Sequence, residues 1–285
     1  MPMQSLINQS NSILVIDTVF EQCSVAIWHN QQVIYSHTVA GKREQTQVVL
    51  PMIDTAINQT GLQACEFDAI AFNQGPGAFS GIRINTAVAQ ALSFAYDVPC
   101  VGVSSLQIMA QSAYEQYGHD HVFACLDARM QQVYVGEFAV QDGLMQPVNH
   151  GVKHGTSHGT SHGNQQSAEQ TQPNQNQPNQ NEPNQNEPNQ NQPNQKQSNQ
   201  ARPNEYLLDY DAQTHANYPM VGNGAVLLMA DAEQTQQTHL SLDAGILAKL
   251  ASNHYAQHGG VPAEQALPVY LRHNAWKTLK EQGKA

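Results

Sequence analysis

Two aspartates each close an apolar run: Asp17 follows Ile13-Leu14-Val15-Ile16, and Asp127 follows Val122 to Leu126. A carboxylate at a strand end is where an ATP-using protein would hold a metal ion and phosphate, so the residues that come next decide the reading. Neither Thr18 to Cys23 after Asp17 nor Ala128-Arg129-Met130 after Asp127 contains a glycine whose bare backbone would let a phosphate come close. A structural or turn-capping role is the favoured reading of both aspartates, with nucleotide and metal binding as the alternative. Gly75-Pro76-Gly77 through Gly81 would present backbone N–H groups at the start of a helix, a place that attracts anions. No Gly-Lys-Ser/Thr follows, and the spacing is not that of a dinucleotide fingerprint. The loop therefore reads first as a tight strand-to-helix turn that needs glycine dihedrals. The competing reading is a vestigial nucleotide or anion site made of Asp17, Gly75, Gly77, Gly81 and Asp127. Arg83, one turn into the helix, is placed to pair with an acid or with a partner chain.

Other chemistry is sparse. His154, His158 and His162 recur every fourth residue, but in a His-Gly-Thr-Ser repeat whose glycines disfavour the helix that would align them, so no metal site is expected. Gly-x-Ser-x-Gly is absent, and nothing links Ser104-Ser105 to a histidine as a triad would require. Cys23, Cys65, Cys100 and Cys125 lack paired metal-site spacing and read as buried, reduced thiols. Asp and Glu outnumber Lys and Arg by 23 to 12, a formal charge of −11 that would repel nucleic acid. With no targeting pattern at the N-terminus and no apolar run of membrane-spanning length, a cytoplasmic location is expected.

The elements that must position these residues follow from apolar periodicity. Ile13–Ile16, Ser24–Trp28 and Gln32–Tyr35 read as three consecutive strands, the central one buried. Thr46 to Asn58 is an amphipathic helix that Pro51 must kink unless it sits in the first turn. Its apolar residues wrap beyond one buried face, which leaves surface for a partner, with pure core as the other reading. Ala69–Phe72 is a buried strand that enters the glycine loop, and Ser80 is the expected N-cap of the next helix. Cys100–Val103 returns as a strand, and Ser105–Tyr117 is a helix. Strand, acidic turn and strand then recur over 121–138, with a short strand ending near Val221 and a helix over 243–258. Two halves that each open on a hairpin with an aspartate at the end of its first strand indicate a duplicated α/β architecture.

Between Gly151 and Asn204 the composition turns to Asn, Gln, Pro, Gly and His, with a repeated Pro-Asn-Gln-Asn phrase. Few apolar side chains remain to offset the entropy of ordering, so this is expected to be a disordered Asn/Gln/Pro-rich insertion. Its charges, Glu169, Glu182 and Glu187 against Lys153, Lys196 and Arg202, cancel, so the −11 belongs to the folded part. The expected organisation is a flexible N-terminus over 1–11, a first lobe over 12–105, a second lobe over 106–150 and 205–265 interrupted by the insertion 151–204, and a C-terminal segment over 266–285.

Five segments, in order, resemble the TsaB (YeaZ) family: Ile13 to Trp28; Gln45 to Ile53; Gly75-Pro76-Gly77-Ala78-Phe79-Ser80-Gly81-Ile82-Arg83-Ile84; Asp127-Ala128-Arg129-Met130 with Val133-Tyr134; and Pro268-Val269-Tyr270-Leu271-Arg272 with Trp276-Lys277. The resemblance implies a duplicated ASKHA (actin-like ATPase, ribonuclease H-like) fold in two lobes. It also implies a non-catalytic subunit that binds and activates TsaD in forming the threonylcarbamoyl group on N6 of adenosine 37 of tRNAs reading codons that begin with A. TsaE would join the pair, ATP and metal would belong to TsaD and TsaE, and tRNA would be reached only through the complex. A homodimer is expected in isolation. The contact residues implied are Val48, Val49, Met52, Ile53, Arg83, Ala87 and Gln90. The chain departs from the family at Gln45, usually His, at Val48 and Gln74, usually Arg, at Ala78, usually Ser, and at Ser80, usually Thr. The rival readings are an ATP-dependent kinase or hydrolase using Asp17, Asp127 and the Gly77 loop, and a freestanding regulatory homodimer.

Overall fold

The computed structural model describes residues 11–41, 45–148, 204–214, 218–230, 236–237 and 239–272. The expected insertion apart from Asn204, with its three histidines, lies outside the described residues, as do Trp276 and Lys277.

The first lobe is built on β1 (Ser12–Asp17), β2 (Gln22–His29) and β3 (Gln32–Ala40), an antiparallel meander, with β4 (Ala69–Asn73) and β5 (Cys100–Val103) added in parallel in the order β3-β2-β1-β4-β5. β1 and β4 are buried throughout, which is why they read as unbroken apolar runs: alternate side chains enter two different cores. Leu14, Ile16, Ile70 and Phe72 face one core with α1 (Gln45–Thr60) and α2 (Phe79–Tyr96). Ile13, Val15, Ala69 and Ala71 face the other.

α1 runs through Pro51, which lies past the first turn. The amide that proline lacks would have met the carbonyl of Gln47; both residues are exposed, so water can serve that carbonyl. At α2 the expected cap shifts: Ala78, in extended conformation, is the N-cap, and no side chain caps it. Ser80 already lies inside the first turn, beyond the position from which a hydroxyl caps. α3 (Ser105–Tyr117) follows the expected bounds and is capped by Ser104 Oγ, which accepts from the amides of Leu106 and Gln107 at 3.1 and 3.4 Å.

α3 leads into the second sheet, β6 (His121–Arg129), β7 (Gln132–Gln141), β8 (Leu144–Pro147) and β9 (Glu205–Asp209). Short strands β10 (Gln213–Thr214), β11 (Met220–Val221), β12 (Met229–Ala230) and β13 (Gln236–Gln237) follow. The sheet runs β13-β11-β6-β7-β8, with β9 also on β7, while β10 and β12 form a separate pair. Leu106, Met109, Ala110 and Ala113 of α3 pack on this sheet with Val122, Ala124 and Phe138. The last helix, α4 (Ala244–His258), departs from the expected assignment of 205–265 to the second lobe: Ile246, Leu247, Leu250 and Ala251 fill the open face of the first sheet beside Ile13 and Val15. The two mixed α/β lobes are the architecture the resemblance implied.

The cysteines divide. Cys23, Cys100 and Cys125 are buried, and burial holds each thiol above its usual pKa, whereas Cys65, in the short 3-10 turn Ala64–Glu66, is exposed, contrary to expectation.

β8 and β9 lie end to end along one edge of β7. β8 pairs with Phe138 to Gln141 and β9 with Gln132 to Gly136. The residue between them, Glu137, offers one carbonyl to both ends of the break: it accepts from the Val148 amide at 3.0 Å and from Asn204 Nδ2 at 3.3 Å. The two strands are halves of one edge strand, and 149–203 is spliced into it at a point where its ends already meet. Deleting 149–203 and joining Val148 to Asn204 through a short Gly-Ser linker is therefore expected to preserve the fold. Loop length contributes only about 0.6 kcal/mol per doubling, so calorimetry should find the melting temperature within roughly 5 °C of the full chain. Loss of cooperative unfolding would show that the segment carries structure the sheet needs.

Candidate functional site

The two strand-end aspartates perform the same local task in different surroundings. Asp17 Oδ1 accepts the Val19 amide at 2.7 Å, and Asp127 Oδ1 accepts the Arg129 amide at 2.8 Å, each closing the hairpin turn two residues on. Asp17 is 2 % exposed, and its Oδ2 accepts from Asn73 Nδ2 at 3.0 Å. Asn73 is held in turn, its Oδ1 accepting from the Gly75 amide at 3.0 Å and the Ser105 hydroxyl at 2.7 Å. Asp17 is thus wired inward, to the loop after β4 and the start of α3. Burial pushes its pKa up to about 6, with the hydrogen bonds from Val19 and Asn73 pulling the other way.

That shift fixes a sign. A folded-state pKa of about 6 lies above the unfolded value near 4, so the folded chain binds the extra proton, and the associated stability is complete below pH 4 and lost as the pH rises through 6. Urea unfolding of the wild type and of Asp17→Asn should therefore show the wild type gaining about 1 kcal/mol on the variant between pH 7 and pH 5. Parallel pH dependences would mean that Asp17 titrates as an ordinary surface acid.

Asp127 faces a cleft between the lobes. Its Oδ1 also accepts from the Tyr210 hydroxyl at 2.8 Å, and its Oδ2 lies 2.9 Å from Arg129 Nη1. Arg129 also reaches Glu21 of the first lobe, at 3.6 Å. The cleft encloses about 570 Å³ and is walled mainly by apolar side chains, among them Val19, Phe20 and Phe79 of the first lobe and Leu126 of the second, with Leu240 and Leu242 beyond them. Its charged groups, Glu21, Asp127, Arg129 and Arg272, gather at one end, where Arg272 donates to the carbonyls of Ala128 and Arg129 at 3.2 and 3.1 Å. Burial raises the Tyr134 phenol in the same wall, and Arg272 opposes the shift.

The glycine loop bears on what the cleft can hold. A Cβ on Gly77 would stand 2.3 Å from Val19 Cγ1, and one on Gly81 would stand 2.3 Å from the Thr18 carbonyl oxygen. The Thr18 hydroxyl donates to the Gly81 carbonyl at 2.8 Å, and Gln45 Nε2 donates to the carbonyls of Thr18 and Gln22 at 2.9 and 3.0 Å. The turn after Asp17 is thus seated in the space beside the glycines. A group approaching the backbone of Gly77 or Gly81 from that side would meet the Val19 side chain or the Thr18 carbonyl. The structure brings Gly77 and Asp127 to the cleft wall, and does not bring Asp17, Gly75 or Gly81 there. Among the described residues no group of three or more His, Cys, Asp or Glu could hold a metal ion, and no helix is long and apolar enough to cross a membrane.

The expected contact residues divide as well. Val49, Met52 and Ile53 are 1, 7 and 4 % exposed and belong to the core beneath the first sheet, so they cannot form a contact surface without unpacking it. The apolar run of α1 is core on those positions, and Leu50, at 56 %, is what it leaves outside. Val48 is half-buried. On α2, Arg83 and Ala87 are exposed, and half-buried Gln90 donates through Nε2 to the Ala266 carbonyl at 3.0 Å. Ala91 and Ala95, which apolar spacing sets on one stripe with Ile84, Val88 and Leu92, instead continue the exposed face of α2, together with Phe94 at 85 % exposure, which sequence reasoning passed over. Their signal was present: Arg83, Ala87 and Ala91 recur every four residues on one side of the helix.

Residues 36–156 match the family model for TsaD, tRNA N6-adenosine threonylcarbamoyltransferase. The chain is 41% identical over 126 residues to the tRNA threonylcarbamoyladenosine biosynthesis protein TsaB of Escherichia coli, a match covering 44% of this chain and 54% of that one. It is 39% identical over 129 residues to the protein of the same name from Haemophilus influenzae, covering 45% and 54%. The chain thus spans about half the length of the curated relatives it matches. The structure of YeaZ from Pseudomonas aeruginosa superposes with a TM-score of 0.67 at 30% identity, covering 92% of this chain and 100% of that one.

Proposed function

Because this chain belongs to the TsaB (YeaZ) family, we propose that it is a non-catalytic subunit that docks on TsaD and supports formation of the threonylcarbamoyl group on N6 of adenosine 37 of tRNAs. The observation that carries this reading is the outer face of α2, where Arg83, Ala87, Ala91, Phe94 and Ala95 are exposed on one helix and Leu50 stands out on α1. Alanines let a second helix approach closely, and an aromatic 85 % exposed gains most by being covered. A homodimer formed through the same face is the expected state of the isolated chain, displaced when TsaD binds. TsaE joins the pair, and ATP and metal are held by TsaD and TsaE. A chain of net charge −11 is a poor ligand for RNA, so tRNA is engaged through the complex. The seated turn at Gly77 and Gly81 supports a non-catalytic role over an ATP-dependent kinase or hydrolase.

Reconstitution tests this. TsaD and TsaE of the same organism, with tRNA, ATP and threonylcarbamoyl-adenylate supplied by TsaC, should form the modified nucleoside at full rate only when this chain is added. Full-rate modification in its absence would remove the proposal.

A further inference from the structure

The segment from Ala266 to Arg272 runs across both lobes. Ala266 is 2 % exposed in the first-lobe core, and its carbonyl is held by Gln90 of α2. The Val269 amide donates to the Gln74 carbonyl at 2.8 Å, fixing the segment against the glycine loop. One residue on, the Tyr270 hydroxyl accepts from Arg83 Nε at 3.3 Å, and its ring lies 6.3 Å from that of Phe79. Arg83 stands 3.7 Å over the Phe79 ring, so these three side chains form one cluster at the exposed start of α2.

Two residues further, Arg272 enters the other lobe. Besides the carbonyls of Ala128 and Arg129, it donates through Nε to Gln132 Oε1 at 3.1 Å and through Nη1 to Met130 Sδ at 3.2 Å. The turn it grips is an unusual one. Arg129, Met130 and Gln131 have φ of 59°, 54° and 61°, three consecutive left-handed residues with side chains, a conformation that such residues seldom hold unaided. Arg129 in that turn is the residue that spans the cleft to Glu21.

We infer that Ala266–Arg272 is a strap through which a partner surface covering Arg83 and Phe79 sets the position of the β6–β7 turn, and with it the mouth of the cleft. The identity of the partner rests on the docking reading above; the link itself belongs to this chain alone. A helix laid over α2 meets Arg83, whose guanidinium is bonded to the Tyr270 hydroxyl and stacked over Phe79. Tyr270 is joined to Arg272 through Leu271 only, and Arg272 holds the strained turn from outside it, alongside the Asp127 carboxylate on the Arg129 amide and the Tyr210 amide on the Gln131 carbonyl at 3.0 Å. Occupancy of the outer face of α2 and order at residues 128–132 are therefore coupled, and coupling of this kind is reciprocal.

Hydrogen exchange on the full chain tests the strap with and without its partner. In the free chain, Arg272→Gln should speed exchange of the 128–132 amides by about ten-fold or more. Arg83→Ala, which touches the turn only through Tyr270, should speed the same amides several-fold. Adding TsaD to the wild type, at a concentration where the free chain is monomeric, should slow them, and the slowing should be lost in Arg272→Gln although the complex still forms. Should Arg272→Gln fail to fold, Arg83→Ala and Tyr270→Phe carry the test, since neither reaches the core. If Arg83→Ala leaves 128–132 exchanging as in the wild type, the strap transmits nothing and the inference is overturned; bound TsaD without effect on those amides overturns it equally. A chain that never binds TsaD refutes the docking reading instead, while the Arg83→Ala comparison still decides the strap.

Discussion

Phe94→Asp is expected to weaken binding to TsaD about a hundred-fold, ~3 kcal/mol, while leaving the melting temperature of the free monomer, measured below the concentration at which the homodimer forms, unchanged. The two halves of this expectation have one cause. At 85 % exposure the side chain makes little of the monomer's core, so a carboxylate there remains hydrated and the fold does not register it. In a docked complex the same carboxylate would be stripped of water against an apolar helix, and an unpaired buried charge is costly. Leu50→Asp, on α1, should act in the same direction and more weakly, since a smaller area is covered. Ile53→Asp would be uninformative, because its side chain is 4 % exposed and the substitution would unfold the first lobe before it reported on docking. Titration calorimetry with purified TsaD measures the affinity, and mass spectrometry of tRNA nucleosides from cells carrying the variant measures the consequence. An unchanged affinity for Phe94→Asp would move the docking surface away from α2.

Gly81→Ala should cost roughly 3 kcal/mol of stability and lower the melting temperature by about 6–12 °C. The added methyl would lie 2.3 Å from the Thr18 carbonyl oxygen and 3.3 Å from Val19 Cα, both backbone atoms of a turn that Asp17, Gln45 and the Thr18 hydroxyl hold from three sides. No rotamer change relieves such a contact; α2 must back away from the hairpin. Gly61→Ala is the useful comparison. A Cβ there meets nothing within 4 Å, so only its positive φ of 73° resists, and it should cost about 1 kcal/mol. If the two variants melt together, the contact between α2 and the turn is looser than the distances imply.

Much of this was legible in the residues. β1 and β4 announced themselves as unbroken apolar runs because each is covered on both faces, and α3 kept its expected bounds because Ser104 caps its start and Gly118, at a φ of 71°, ends it. Asp17 and Asp127 were read as turn caps from the lack of glycine after them, and both close their turns through the amide two residues on. What stayed hidden depends on pairs distant in sequence. Tyr210 bonds Asp127, and Arg272 bonds Ala128, across segments that no local spacing connects. The run Val48 to Ile53 is apolar almost all round the helix, so periodicity could not say that Val49, Met52 and Ile53 point inward while Leu50 points out. Nor does an amphipathic pattern name its sheet, and α4 took the first sheet while following the second in the chain.

That last placement matters while the protein is being made. Ile13, Val15, Ala69, Ala71 and Val101 leave the ribosome early, yet the helix that shields them begins only at Ala244. At about 5–20 residues per second the nascent first lobe waits on the order of 10 s with that greasy flank bare, and the Asn-rich stretch lengthens the wait. A translation product halted before Ala244 should aggregate or remain bound to a chaperone.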